Sequence, residues 1–475
     1  MLKNKIIENV SSSLFQRIEF WIAFFFIIRL IGITNPPLEL NHNWRQVTGL
    51  MVTRNFLDVN NNILYPRIDD NHGNDGVIGM EFPLMNYIYF LVAKVFGYSH
   101  WYGRLINLII SSIGIFYFYK ILKRKFDPKI ALYSSILLLS SIWFSFSRKM
   151  MPDTFCISLM FIGLYYGFNY FEYGKWKNYF LFFLLTALAL LVKIPAGIYL
   201  ILLFFYFVSK EYLITKKIFV AFSLIITLLC AFVWYFVWTP YLSQTFGLWY
   251  NKGESFREGF LTISHNIGEV LKNFYFSSFH SYFSFCVFLF GLYIMFKKKN
   301  NYLILIFFSV FLVFLIYILK SGIHFLQNYY IIPFVPVMAV IGGFGLTQMR
   351  KKILVLLVLC VCVMEGIANQ QHDLFIKPSE KVFMRLETIA DSISSHNDLI
   401  AINDNTGNPQ RIYLTHRKGW LCSNVMLSDT AFISTIHKKG CRYVFVCKRD
   451  TLINVPYPKV YEDTDYDVFD ISGQN

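Results

Sequence analysis

Residues 179–209 read YFLFFLLTALALLVKIPAGIYLILLFFYFVS, and this stretch decides the fold. Its apolar residues come as two nearly unbroken runs, 179–192 and 196–209, at neither helical nor strand spacing. A segment apolar on every side has no aqueous face, so lipid is its natural solvent. Cations flank the pair, at Lys175 to Lys177 before it and Lys210 to Lys217 after it. One lysine, Lys193, lies between the two runs.

The rest of the chain keeps to this pattern. Of 475 residues, 56% are hydrophobic and only 15% charged, where a soluble domain carries about 25% charged. The formal charge of +15 does not point to nucleic acid, because the basic residues are scattered in short loops between apolar runs, as at a cytoplasmic membrane face. Five of the eight cysteines, Cys156, Cys230, Cys286, Cys360 and Cys362, lie in apolar runs and read as packing residues. Cys422, Cys441 and Cys447 lie in the tail, and an odd count leaves at least one unpaired. No metal-ligand spacing is present, so no metal site is expected. Lys3, Lys5 and Arg17 precede the first apolar run without a small-residue cleavage site, which predicts a membrane helix and not a signal peptide.

Charge placement orders the segments. Basic clusters occur at Lys120 to Lys129, Lys175 to Lys177, Lys210 to Lys217, Lys297 to Lys299 and Arg350 to Lys352. If these and the N-terminus are cytoplasmic, two spans must separate each neighbouring pair. The apolar runs 18–35 and 103–119, 130–146 and 154–170, 179–192 and 196–209, 218–239 and 280–296, and 303–320 and 330–348 satisfy this, and 353–368 leads out to the tail. The expectation is an α-helical polytopic membrane protein with about eleven transmembrane helices, in a multi-pass plasma (inner) membrane. Leu84 to Gly97 is set aside as an interfacial or re-entrant helix, since counting it would invert every later loop. The domains expected are a transmembrane domain, 1–368, with a long first outer loop at 35–101, and an extracytoplasmic soluble α/β domain, 369–475. In the tail, Leu399 to Asn403 and Arg442 to Cys447 read as strands and Ser379 to Ser394 as an amphipathic helix.

The outer loops hold the groups able to do chemistry. The first contains His42, Asn43, Trp44, Arg45, Gln46, Arg54, Asp58, Asp69, Asp70, His72, Asp75 and Glu81, with no Gly-rich phosphate cradle and no Ser/His/Asp spacing. A merely wet loop is one reading. The other rests on NHNWRQVTGLMVTRNF (41–56), which puts His42, Arg45 and Gln46 on one helical face. Glu81, just before Pro83 and the apolar helix, is a carboxylate in need of a partner. In SRKMMPDTF (147–155), the cations Arg148 and Lys149 stand where positive charge is disfavoured, which suggests an anionic ligand or a simple Arg148–Asp153 pair. Lys193 is a functional candidate by its depth, or a residue that snorkels to the interface. Arg29, in FFFIIRLIG (24–32), reads as a snorkelling residue. SGIHFLQNYYIIPFVP (321–336) sets His324, Gln327, Asn328, Tyr329 and Tyr330 at an outer boundary. Together these outline a basic, aromatic, outward-facing site with at least two carboxylates, suited to a lipid-linked phosphate.

The order of motifs resembles the GT-C membrane glycosyltransferases, in particular the group of protein O-mannosyltransferases and lipid A aminoarabinose transferases. It covers roughly the first 350 residues: a first helix ending in RL, the long loop, EFPLMNYIYFLVAKVFG, RLINLIISSIGIFYFYKILKRKF, SRKMMPD, VKIPAG and HFLQNYYIIPFVP. The resemblance implies an inverting enzyme that takes a sugar from a polyprenyl phosphate and passes it to an acceptor (glycan, lipid or protein) outside. Beyond that donor substrate it implies no certain cofactor. It also implies roles. Asp153 matches the acid of the second outer loop, Lys193 a phosphate-binding lysine, and Glu81 the acid before the loop proline. The family's Asp-Glu pair, whose Asp is taken as general base, is replaced here by His42-Asn43, within a His-x-Trp-Arg-Gln form that marks a branch of the family. Phe82 stands where some members carry lysine. His42, Glu81 and Asp153 are thus the catalytic candidates, with His42 as base and Glu81 or Asp153 as alternatives. Arg148, Lys193, His324 and Tyr329 are candidates for the donor phosphate, and Trp44, Arg45 and Gln46 for substrate. A transporter or flippase of lipid-linked saccharides is disfavoured, since inverted repeats and mid-membrane polar residues on several helices are lacking. A polymerase or ligase would need a second basic groove, which Lys252, Arg257 and Lys272 could supply.

Overall fold

The computed structural model describes residues 14–39, 41–248, 253–449, 453 and 455–473. The chain divides into two compact units, one of Met1–Ile33, Arg104–Trp234 and Asn251–Leu374, the other of Thr34–Gly103, Tyr235–Tyr250 and Phe375–Asn475.

The first unit is helical throughout its described secondary structure, and the apolar runs of the sequence are found as helix. Among the described residues, the helical stretches Tyr102–Lys125, Pro152–Tyr173, Ile214–Phe246 and Asn301–Leu326 are long and apolar enough to cross a membrane unaided, and two bent pairs raise the number to six. Five more apolar helices are shorter, at 10–17 residues. Their shortness has a local cause in the 179–209 stretch. The helix Trp176–Val192 stops at Lys193, whose backbone is extended at φ −162°. Pro195 then removes a donor in the first turn of the next helix. The chain continues as a 3₁₀ helix, Ile194–Leu203, and a short α-helix, Phe204–Val208. A 3₁₀ rise of about 2.0 Å per residue makes these 15 residues about as long as 18 in an α-helix.

Such breaks leave backbone groups that lipid cannot satisfy, so the protein must. The break between Pro128–Ser140 and Trp143–Phe146 is closed by the Gln370 side chain. Its Nε2 donates to the carbonyls of Ser140 (3.2 Å), Ser141 (3.1 Å) and Gly366 (2.9 Å), and its Oε1 accepts from the Ser145 amide and hydroxyl. Close helix packing relies on small residues: a Cβ at Gly291 would run into the Ile341 carbonyl. Arg29 does not snorkel. It is fully buried, donates to the Leu139 carbonyl at 2.7 Å and lies over Phe25 and Phe144. A backbone acceptor serves Nη2 and two ring faces lie against the guanidinium, while Nε and Nη1 have no hydrogen-bond partner among the described residues.

The second unit is built on a five-stranded mixed sheet, order β2-β1-β3-β5-β4. The strands are β1 Leu399–Asn403, β2 Lys418–Cys422, β3 Cys441–Cys447, β4 Lys459–Glu462 and β5 Tyr466–Asp470. β1 pairs in parallel with β2 and β3, whereas β5 is antiparallel to β3 and β4. The two central parallel strands, β1 and β3, are largely apolar runs, as expected of strands covered on both faces. The 379–394 stretch is not one α-helix: Pro378–Arg385 is 3₁₀ and only Leu386–Ile393 is α-helical. An extended segment of the first loop meets this sheet at Gly419, while the helix Asn43–Asp58 packs on the short helix Gln410–Leu414 and carries a second helix, Leu84–Phe96. The latter helix buries Met85, Tyr89, Phe90 and Ala93 and exposes Leu91, Val95 and Phe96, the stripe that an interfacial helix would give to lipid.

That extended segment covers the free edge of β2. The Asn71 and His72 amides donate to the Gly419 carbonyl (3.1 and 2.9 Å), the Gly419 amide donates to the Asp69 carbonyl (3.0 Å), and the Leu421 amide donates to Asp70 Oδ1 (3.0 Å). An open edge would be a template for wrong pairing, and the loop removes it.

Candidate functional site

In the first unit, the candidate residues meet at the end of a helical hairpin. Asp153 lies in the first turn of Pro152–Tyr173 and Lys193 caps the C-terminus of Trp176–Val192. The Lys193 ammonium donates to Asp153 Oδ1, and both side chains are buried. Asp153 is thus held by Lys193. The turn before Asp153 is pinned by Asn107, whose Nδ2 donates to the carbonyls of Phe146 (3.1 Å), Lys149 (2.8 Å) and Met151 (3.1 Å). The Asn107 Oδ1 accepts from Ser111 and Thr154, so the amide is fully used and its orientation fixed.

Aromatic rings close the other side of this pair. The ammonium of Lys193 lies 5.0 Å from the Tyr329 ring centroid and 5.4 Å from that of Tyr330. The Tyr330 ring stacks with those of Tyr317 (5.8 Å) and His324 (6.2 Å). These residues sit on two short 3₁₀ turns, Gly322–Leu326 and Asn328–Ile331, the first tied by Asn273 Nδ2 donating to the Phe325 carbonyl at 2.7 Å. Lys193 is therefore buried and paired, with no need to snorkel. Asp153 Oδ2 is buried with no hydrogen-bond partner among the described residues. A cation, ring faces and an unused carboxylate oxygen thus lie within one cluster.

The neighbouring cations are held by their own chain. Arg148 donates to the carbonyls of Asp373 (2.6 Å) and Ile31 (2.7 Å), and Lys149, 1% exposed, lies 3.1 Å from Asp373 Oδ2. Asp373 was not singled out by sequence. The signal available was a lone acid in QQHDLF, just past the last apolar run.

The second unit gathers the first-loop candidates differently from one helical face. His42 is the N-cap of Asn43–Asp58 with φ 56°, a left-handed conformation uncommon outside glycine. Asn43 Nδ2 donates to Gln410 Oε1 (3.0 Å), and Gln410 Nε2 donates to the Pro37 carbonyl (3.1 Å), which ties the loop entrance to the tail. Within the helix, Arg45 and Gln46 each take a different carboxylate: Arg45 pairs with Glu81, and Gln46 Nε2 donates to Glu39. Trp44 beside them is partly exposed. Glu39 is a buried acid that sequence reading passed over, though it stands three residues before His42 in ELNH.

Other polar groups of the loop hold it to the tail. Arg54 donates to Asp69 Oδ2 (2.5 Å) and to the Tyr413 carbonyl (3.1 Å), and Asn55 donates to Asp69 Oδ1 (2.8 Å). Burial is the largest single influence and opposes the charge on Arg54, yet Asp69 together with Tyr98 and Tyr413 keeps the guanidinium above its ordinary value. Tyr413 accepts or donates at Tyr98 (2.7 Å) and His100 (2.6 Å). Among the described residues, no group of three or more His, Cys, Asp or Glu side chains is placed to hold a metal ion.

Residues 81–236 match the family described as dolichyl-phosphate-mannose-protein mannosyltransferase, a range that contains Glu81, Arg148, Asp153 and Lys193. The fold is similar to that of ArnT from Cupriavidus metallidurans bound to undecaprenyl phosphate, with a TM-score of 0.62, 11% identity, and coverage of 96% of this chain and 98% of that one. The apo state of ArnT gives 0.61 at 11% identity, covering 95% and 98%. The Archaeoglobus fulgidus oligosaccharyltransferase, in complex with Zn and sulfate, gives 0.58 at 12% identity, covering 90% of this chain and 68% of that one. No curated protein matches by sequence. The chain resembles the GT-C membrane glycosyltransferases in sequence over 81–236 and in fold over nearly its whole length.

Proposed function

We propose that this chain is an inverting membrane glycosyltransferase that moves a sugar from a polyprenyl-phosphate carrier to a glycan, lipid or protein acceptor on the extracytoplasmic side. The observation that carries the reading is the buried Lys193–Asp153 pair under Tyr329 and Tyr330. An ionisable group at membrane depth marks a functional site by default, and a cation framed by aromatic rings suits a phosphate. ArnT, whose fold this chain shares, has been seen with undecaprenyl phosphate.

The chemistry rests on charge. An acceptor oxygen attacks the anomeric carbon opposite the phosphate, the bond from carbon to phosphate oxygen breaks, and its electron pair leaves on the phosphate. Lys193 neutralises that growing charge in this reading, with Arg148, His324 and Tyr329 as further donor-phosphate candidates. The acceptor proton passes to a base. His42 is the assigned base, with Glu81 the alternative and Asp153 supporting the developing charge on the sugar. Arg45 and Gln46 orient carboxylates of the first loop, and Trp44 offers a partly exposed ring to a sugar. In this reading about eleven helices cross the membrane, the N-terminus is cytoplasmic and the tail extracytoplasmic, since all five basic clusters then share the inner face.

The test is turnover in reconstituted vesicles. Labelled polyprenyl-phosphate sugars, supplied with envelope glycan, lipid and protein fractions, should yield free polyprenyl phosphate and labelled acceptor, and Lys193→Met should abolish both. A lipid-linked saccharide carried across intact, with no cleavage under any condition, would make the chain a transporter.

A further inference from the structure

The Pro152–Tyr173 helix carries Asp153 in its first turn and Glu172 in its last. At about 1.5 Å per residue, roughly 28 Å of helix separates them, close to the thickness of a bilayer's hydrocarbon core. The Lys193 cluster occupies one end. Toward the other, helices of the same unit leave a cavity between them. Phe118, Phe161, Leu164, Val310 and Val340 form its apolar wall, and Arg124, Lys125, Tyr206 and Tyr302 its polar end, while Lys193, Asp153 and Tyr329 take no part in it.

The two cations differ. Arg124 is already engaged, donating to Asn169 and lying 3.4 Å from Glu172. Lys125 is exposed, 5.5 Å from the Tyr206 ring centroid, and among the described residues no carboxylate pairs with it. It belongs to the basic cluster Lys120 to Lys129.

A cavity walled by apolar side chains favours an alkyl chain over water. Its cationic rim selects an anionic headgroup. A polyprenyl phosphate whose phosphate sits at Lys193 would present its headgroup at the opposite end. We propose that this cavity binds an acyl chain of an anionic glycerophospholipid whose phosphate lies against Lys125, as a site separate from the sugar donor's.

Native mass spectrometry of the purified full chain tests this with three probes: phosphatidylglycerol, phosphatidylcholine and undecaprenyl phosphate. One phosphatidylglycerol should be retained in preference to phosphatidylcholine. Lys125→Gln should weaken phosphatidylglycerol about fivefold while leaving phosphatidylcholine and undecaprenyl phosphate unchanged. Ile306→Trp, which fills the cavity, should remove both phospholipids, and if that variant fails to fold the Lys125→Gln comparison decides alone. Equal retention of the two phospholipids, or an unaffected Lys125→Gln, overturns the proposal. So does one-for-one displacement of phosphatidylglycerol by undecaprenyl phosphate, which would make the cavity a seat for the polyprenyl chain.

Discussion

Lys193, at the C-terminus of one helix, is the ion-pair partner of Asp153, in the first turn of the next helix back along the chain. Both helix dipoles favour this arrangement, a carboxylate at an N-terminus and a cation at a C-terminus. The pair is thus stable without a ligand while offering a cation framed by aromatic rings.

Removing one partner strands the other. Lys193→Met should cost about 3–5 kcal/mol of stability, the scale for an orphaned buried charge. Adding Asp153→Asn should restore much of that. Donor binding should stay weakened by about 1.5–3 kcal/mol in both, and Arg148→Met, whose guanidinium is spent on backbone carbonyls, should affect it less. Thermal unfolding and polyprenyl phosphate titration separate the two effects. Full binding in the double variant would remove Lys193 from the donor site.

The base is read from rates. His42→Ala should lose about 10²–10⁴-fold in turnover with donor affinity retained. Glu81→Gln, Glu39→Gln and Asp153→Asn are measured beside it. A near-normal His42→Ala rate with collapse in one carboxylate variant transfers the role to that residue. Collapse of donor binding in His42→Ala would make it a phosphate ligand.

Orientation is checked by labelling single cysteines in a cysteine-free background. A cysteine at Asp429 should react with an impermeant reagent from outside, and one at Lys298 only after permeabilisation. The reverse pattern would invert the charge-based assignment.

The loop depends on Arg54. Arg54→Met leaves Asp69 buried without its cation and should cost about 3–5 kcal/mol, seen as protease cleavage within residues 60–75. The Arg54→Met, Asp69→Asn pair should be milder. Equal protection in wild type and Arg54→Met would show that the ion pair does not hold the loop.

The second unit should also respond to pH. His416 lies 3.7 Å from Asp58 and 3.1 Å from Glu387. Hydrogen bonds to Asp58 and then Glu387 raise His416 above its ordinary 6.5. The same bonds to His416 hold Asp58 below 3.8 and Glu387 below 4.5. The histidine's contribution is complete below 6.5 and fades as pH rises through its raised value. The carboxylates' contributions are complete above their ordinary values and fade as pH falls through the lowered ones. Stability from this cluster is therefore greatest between 4.5 and 6.5. His416→Gln should flatten the alkaline side of a melting profile, and an unchanged profile would remove the cluster as its cause.

How far the chain could be read in advance varied with the kind of signal. β1 was legible to the residue and β3 to within one, because buried parallel strands are continuous apolar runs. β2, β4 and β5 were not seen. β2 (KGWLC) and β4 (KVYE) are short edge-region strands with mixed composition, fixed by their neighbours and not by pattern. Glu39 and Asp373 were missed for a similar reason: a lone acid in a loop looks solvated until its partner is known.

The sequence by itself determined the helical membrane character, the order of the apolar segments and the position of Lys193 and Asp153 at helix ends. Each is a matter of local hydrophobicity, charge or helix-breaking chemistry, which neighbours along the chain decide. Only the tertiary structure decided that Lys193 takes Asp153 while Arg148 and Lys149 turn to Ile31 and Asp373, and that the first loop folds with the tail through Arg54, Asp69 and Gly419. Those choices join residues tens to hundreds of positions apart. A buried charge takes whichever partner the packing brings within reach, and no local pattern encodes that distance.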